Sequence, residues 1–117
     1  MTTQFIIPTS FARPIITKDC IGKLAELVTD PILVVCDRPS RDFDQWHAPE
    51  QVTKDRHDTR YCISKSLNMG IEAMGDSDYL CFVHDDIAIY DEDFLRRYVW
   101  TYEHFSKAGA IGLIHRS

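Results

Sequence analysis

Several things that would place this sequence at once are missing from it. No apolar stretch approaches the roughly 20 residues of a membrane-spanning helix, so no membrane span is expected. Basic residues are in deficit: 13 Lys and Arg stand against 18 Asp and Glu, a net charge of −5. A nonspecific nucleic-acid binder shows the opposite balance, so nucleic acid is not an expected partner. A phosphate-bearing ligand would need local help from a metal, an arginine or backbone amides. The four cysteines (Cys20, Cys36, Cys62, Cys81) show neither a C-x-x-C pair nor metal-site spacing. The opening MTTQFIIPTS carries no basic leader. Reduced thiols and a cytoplasmic location are the expectation. There is no G-x-G-x-x-G and no P-loop, so neither fingerprint applies. No repeat or low-complexity tract is visible.

What remains is an ordinary globular composition, 44% hydrophobic and 26% charged over 117 residues, read as one domain spanning 1–117. The chain is organised around Tyr79–Tyr90, YLCFVHDDIAIY. A short apolar run, Tyr79–Val83, reads as a buried strand and stops at His84-Asp85-Asp86. Buried strands of this kind belong to parallel sheets covered on both faces, and such sheets bind ligands beyond the carboxyl ends of their strands. Two adjacent carboxylates there repel each other and are costly to desolvate. A divalent cation answers that cost, and hard oxygen ligands suit Mg2+ or Mn2+. Successive side chains of a strand point to opposite faces, so Asp85 and Asp86 do not share one ion without a turn. One carboxylate on a metal and one on a substrate hydroxyl is the natural division. The plainer reading is an acidic pair that ends a strand.

Along the chain, Gln4–Ile7 reads as a strand stopped by Pro8 and leading into a polar loop at the sheet's edge. Thr9 is there a ligand contact or a solvated loop residue. Thr17–Val28 reads as a helix with Thr17 as N-cap and Ile21, Leu24, Ala25 and Val28 on its core face. Ile32–Cys36 is a continuous apolar run, a second buried strand, followed by Asp37. An acid there hydrogen-bonds a ribose or base in α/β nucleotide sites, or is simply a turn aspartate. Between Arg41 and Asp58 the pattern is opaque. A helical turn around Phe43–Trp46 and a short strand near Gln51–Lys54 are expected, with His47 and His57 on the surface.

Arg60–Met74 reads as a helix with Ile63, Leu67, Ile71 and Met74 on one face and Gly75 at its end. Gly70 inside it implies close packing on a neighbour. Arg60 at the helix start fits a nearby anion, or is a surface arginine. Asp91-Glu92-Asp93 opens a further helix with an aromatic stripe of Phe94, Tyr98, Tyr102 and Phe105, and Ala110–Ile114 reads as a last strand. The alternation predicts an α/β fold with a mostly parallel sheet flanked by helices.

These segments, in this order, resemble the nucleotide-sugar-binding half of a GT-A glycosyltransferase of family 2 type. Phe5-Ile6-Ile7-Pro8-Thr9 resembles that family's opening strand, and Val34-Val35-Cys36-Asp37 its second strand end. Thr59-Arg60-Tyr61 with Ser66-Leu67-Asn68-Met69-Gly70-Ile71 resembles its R…N-x-G-I helix. Asp78 to Asp86, DYLCFVHDD, resembles the strand that carries its DXD-type metal motif. The resemblance implies a Rossmann-like nucleotide-diphospho-sugar transferase fold and a UDP- or GDP-sugar donor. It implies Thr9, Asp37 and Arg60 around the nucleotide base and Asp85 at the ribose or sugar. Asp86, with Asp85, would hold Mn2+ or Mg2+ on the diphosphate. His84 departs from the family's first aspartate and Cys36 from an acid.

No general base is evident before the family's catalytic segments would begin; His115 is the candidate, and the acceptor is undefined. A truncated enzyme, a minimal enzyme completed by homo-oligomerisation, and a non-catalytic nucleotide-binding or protein-interaction module are the open readings. A metal-dependent phosphohydrolase is a third class, with only Asp37 as its further acid.

Overall fold

The computed structural model describes residues 2–38, 40–59, 62–87, 89 and 93–105. Eight elements follow in order: β1 (Thr3–Thr9), α1 (Pro14–Leu27), β2 (Ile32–Cys36), α2 (Arg41–Gln45), β3 (Val52–Arg56), α3 (Ile63–Met74), β4 (Tyr79–Phe82) and α4 (Phe94–His104). Among the described residues the strands form one all-parallel sheet in the order β3-β2-β1-β4. The expected strand Ala110–Ile114 lies outside the described residues, as do Arg60 and His115.

The period of two in β1 and β2 divides their side chains between two cores. Phe5, Ile7, Ile32, Val34 and Cys36 pack with Cys20, Ile21 and Leu24 of α1, Phe43 of α2 and Phe94 of α4. Ile6, Leu33 and Val35 face the other way, toward Leu67 and Met69 of α3. The strand order explains which helix covers which face. From β1 through β2 to β3 the chain steps outward in one direction, with α1 and α2 on one face. From β3 it crosses back over β1 to reach β4. A crossover of the same hand running the opposite way puts its helix, α3, on the opposite face.

The sheet differs from expectation at Pro8. β1 is interior, not an edge, and it continues through Pro8 to Thr9, with Pro8 opposite Val35. Phe5 and Thr9 direct their backbone groups to the β2 side, where Phe5 N–H donates to Pro31 O and Thr9 O accepts from Asp37 N–H. Ile6 and Pro8 face the β4 side. The last bond on that side is Val83 N–H to Ile6 O, and the ladder stops at Pro8, the next donor position, which has no N–H. β4 is an edge among the described residues and only half-buried, whereas all five residues of β2 are buried.

Three helices also correct the sequence reading. α1 begins at Pro14, a residue suited to a helix's first turn, and Thr17 lies buried within it instead of capping it. α3 does not bury the row of Ile63, Leu67, Ile71 and Met74: Ile63 is 54% and Ile71 53% exposed. Its buried residues are Ser66 and Gly70, one turn apart. The reason is closeness: a Cβ on Gly70 would lie 3.0 Å from Ile6 Cβ, so α3 seats on the sheet by its small residues and the isoleucines rotate outward. In α4 the stripe holds for Phe94, whose ring lies 6.4 Å from that of Phe5, and for Tyr102 against Tyr79 at 5.3 Å. Phe105 falls just past the helix and is 59% exposed.

The opaque segment folds around a lysine. Ser40 Oγ accepts from Phe43 N–H and caps the start of α2. Lys54 Nζ donates to the carbonyls of Phe43, Asp44 and Trp46 at 2.9, 3.2 and 2.6 Å and closes its other end. The Phe43 and Trp46 rings pack with Phe11 above β2. β3 runs Val52–Arg56, two residues beyond the expected strand, and leads to His57. This histidine is 6% exposed, buried where a surface residue was expected, whereas His47 is exposed.

Candidate functional site

The reversal of direction between β2 and β4 leaves a crevice over the carboxyl ends of the strands, where open α/β sheets receive ligands. A pocket of about 270 Å³ lies there. Pro8, Thr9 and Ser10 line it from the end of β1, and Asp37 from the end of β2. Phe82, His84 and Asp85 line it from β4 and the turn beyond, and Cys62, Ile63 and Ser66 from the first turn of α3.

The register of the sheet sets the central contact. Ile6 pairs with Phe82, and three residues further along each strand stand Thr9 and Asp85. Thr9 Oγ1 donates to Asp85 Oδ2 at 2.7 Å and accepts from Phe11 N–H at 2.9 Å. Phe11 adopts φ 57°, the left-handed region, as the chain turns off β1. The Thr9 hydroxyl is therefore committed on both sides. It orients the Asp85 carboxylate instead of offering its own proton to a ligand.

Asp85 and Asp86 diverge, as the strand geometry predicts. Asp85 belongs to the pocket lining. Asp86 turns outward to Arg13, 3.7 Å away, in a pair whose side chains are 52% and 64% exposed. Such surface pairs contribute little. His84 is exposed beside Asp85, its ring edge-on to Phe82 at 5.1 Å. Beneath this turn the Cys20 thiol donates to His84 O at 3.4 Å. Burial, joined by the nearby charges of Asp85, Asp86 and Asp19, pushes that thiol up to about 11.

Thr9, Asp37 and Asp85 are thus brought to one pocket from three separated segments, with Asp86 outside its lining; Arg60 lies outside the described residues. Asp93, just before α4, pairs with Arg96 at 3.1 Å. Among the described residues no three His, Cys, Asp or Glu side chains converge as a metal site. The donor chemistry still suits a hard cation, which takes one or two carboxylates and completes its shell with substrate phosphates and water. Asp85 would supply one ligand, and Asp86 a second on leaving Arg13.

Two pocket features escaped sequence reasoning. Ser66, fully shielded from bulk solvent, forms part of the wall, and His57 Nε2 lies 2.9 Å from its Oγ. The available signals were a serine four residues before the close-packed Gly70, and a histidine directly after a strand end.

Compared with known proteins, the chain matches no family model, and no curated protein or solved structure is significantly similar to it.

Proposed function

We propose that the crevice binds a nucleoside diphospho-sugar, as the nucleotide-binding half of a GT-A glycosyltransferase of family 2 type does. The observation that carries this is the convergence of Asp37 and Asp85 on one pocket at the reversal point of a parallel sheet. Both stand just past strand ends, where a parallel sheet receives ligands, and Thr9 joins them there. Asp37 accepts hydrogen bonds from the ribose or the base. Asp85, held by Thr9, accepts from a ribose or sugar hydroxyl. Mn2+ or Mg2+ on Asp85, with Asp86, would stabilise the charge that develops on a departing diphosphate. Transfer to an acceptor is the reaction this site would serve.

A second reading, nucleotide binding without transfer, draws on Asp86: its carboxylate sits at Arg13 and not over the pocket. Calorimetric titration of UDP and GDP, with and without Mn2+, tests both. Binding to the wild type that Asp85→Ala abolishes supports the nucleotide site. Dependence on Mn2+ that Asp86→Ala removes favours transfer, and metal-independent binding favours the second reading. No binding of either nucleotide under any condition rejects the nucleotide site.

A further inference from the structure

His57 is a buried titratable side chain that the proposed binding leaves unused. It stands directly past the end of β3 and is 6% exposed. Both ring nitrogens are engaged. Nδ1 accepts from the backbone N–H of Thr59 at 3.2 Å, and Nε2 lies 2.9 Å from Ser66 Oγ. A ring nitrogen that accepts carries no proton, so the neutral ring holds its proton on Nε2 and donates it to Ser66 Oγ. The backbone N–H of His57 donates to Cys36 O at 3.0 Å. One residue thus ties the end of β2, the segment beyond β3 and α3 together.

A protonated imidazole has two N–H donors and no acceptor. Its Nδ1–H would face the N–H of Thr59, donor against donor, so that bond cannot survive proton uptake. Ser66 can keep its bond, because it only accepts from the ring. The proton is therefore read at one place. The charged and titratable groups on the surrounding elements are Cys36 and Asp37 of β2, and Lys65 and Cys62 at the start of α3; on the ring's own segment they are Arg56 and Asp58. Lys65 Nζ donates to Thr59 Oγ1 at 3.4 Å. These charges set the pH at which the ring takes up a proton; what is lost when it does is the Thr59 bond.

We propose that His57 is a proton-operated latch. Neutral, it holds the backbone at Thr59, three residues before the pocket-lining Cys62. Protonated, it releases Thr59 while the sheet and the contact with Ser66 stay in place. The latch belongs to the fold and does not depend on the nucleotide reading.

The test uses nitrogen-15-labelled protein without ligand, titrated from about pH 8 to about pH 5, the span in which histidine changes charge. Long-range proton–nitrogen spectra report the tautomer and protonation of the ring. Amide exchange, corrected for its intrinsic dependence on pH, is followed at Thr59 and at Val34, inside β2. Expected are an Nε2-protonated ring at the upper end and a Thr59 amide that exchanges about tenfold faster once the ring is charged, the scale of one hydrogen bond. Val34 should not change. In His57→Gln, which has no proton to take up, corrected exchange at Thr59 should be flat across the range.

A neutral ring protonated on Nδ1 overturns the latch. So does Thr59 exchange that stays constant while the ring takes up its proton, or a ring that stays neutral until Val34 also opens. A His57→Gln protein with the wild-type pH dependence overturns it as well, assigning the effect to another group. Should His57→Gln fail to fold, the wild-type ring and the comparison of Thr59 with Val34 still decide.

Discussion

Thr9 and Asp85, 76 residues apart in sequence, are joined by a hydrogen bond of 2.7 Å that ties the ends of β1 and β4 together at the mouth of the crevice. Its length is that of a well-formed O–H···O hydrogen bond. Thr9→Val keeps the shape but removes the donor to Asp85 and the acceptor for Phe11 N–H. A loss of about 1–3 kcal/mol in urea denaturation is expected, because both former partners are left wanting. Nucleotide affinity should fall with it, since Asp85 loses its orientation.

Gly70 and Gly22 make a paired test of helix packing. Alanine at Gly70 sets a methyl 3.0 Å from Ile6 Cβ and Cγ1, whereas at Gly22 a Cβ meets nothing within 4 Å. Overpacking costs about 1–3 kcal/mol, against a helix-propensity gain of at most about 1. Gly70→Ala should therefore lower the thermal midpoint and Gly22→Ala should raise it. Equal shifts for both would mean that α3 does not lie as close to β1 as described.

Lys54 ties β3 to the end of α2 through three carbonyl oxygens, with its ammonium also 5.4 Å from the Phe43 ring centre. Lys54→Met keeps the stem and removes the donors. A destabilisation of about 1–3 kcal/mol is expected by denaturant titration. Trp46 fluorescence should report it first, since Trp46 O is one of the three acceptors.

Alkaline pH should erode stability through the buried thiols. Burial raises Cys20 from 9.0 to about 11, and burial does the same to Cys81. Below the ordinary thiol pKa both states hold the proton and the contribution is full. Between 9.0 and about 11 the unfolded chain releases protons that the folded chain keeps, so stability falls as pH rises. Denaturation midpoints measured across that window should drop, and less steeply in Cys20→Ala. A flat profile for the wild type would contradict the burial of these thiols.

How much of this was legible in the sequence depended on whether a residue's role is local. β2 could be read because five consecutive apolar residues admit few alternatives, and Asp37 and Asp85 because strand ends are where a parallel sheet presents chemistry. Gly70 announced its close approach through its poor fit to a helix. Pro8 misled because it stops the ladder only toward β4, while β1 goes on pairing with β2 through Thr9, and which neighbour a residue faces is a relation no single segment encodes. The face of α3 misled for a similar reason: the isoleucine row is the more hydrophobic, but the small residues fit the sheet. His57 and Ser66 stayed hidden because their pairing needs β3 and α3 already in place.

The sheet order also fixes when the crevice can exist. β1, β2 and β3 pair in the order in which they leave the amino terminus, each a short step from the last. The flank that carries Asp85 cannot be laid down until β4 returns across β1 to the far side. That closure joins segments more than 70 residues apart and bears the largest loop entropy of any pairing in the sheet. The crevice therefore depends on the pairing with the longest loop to close. Without β4 and the turn that follows it, Thr9 would have no Asp85 carboxylate to receive its proton.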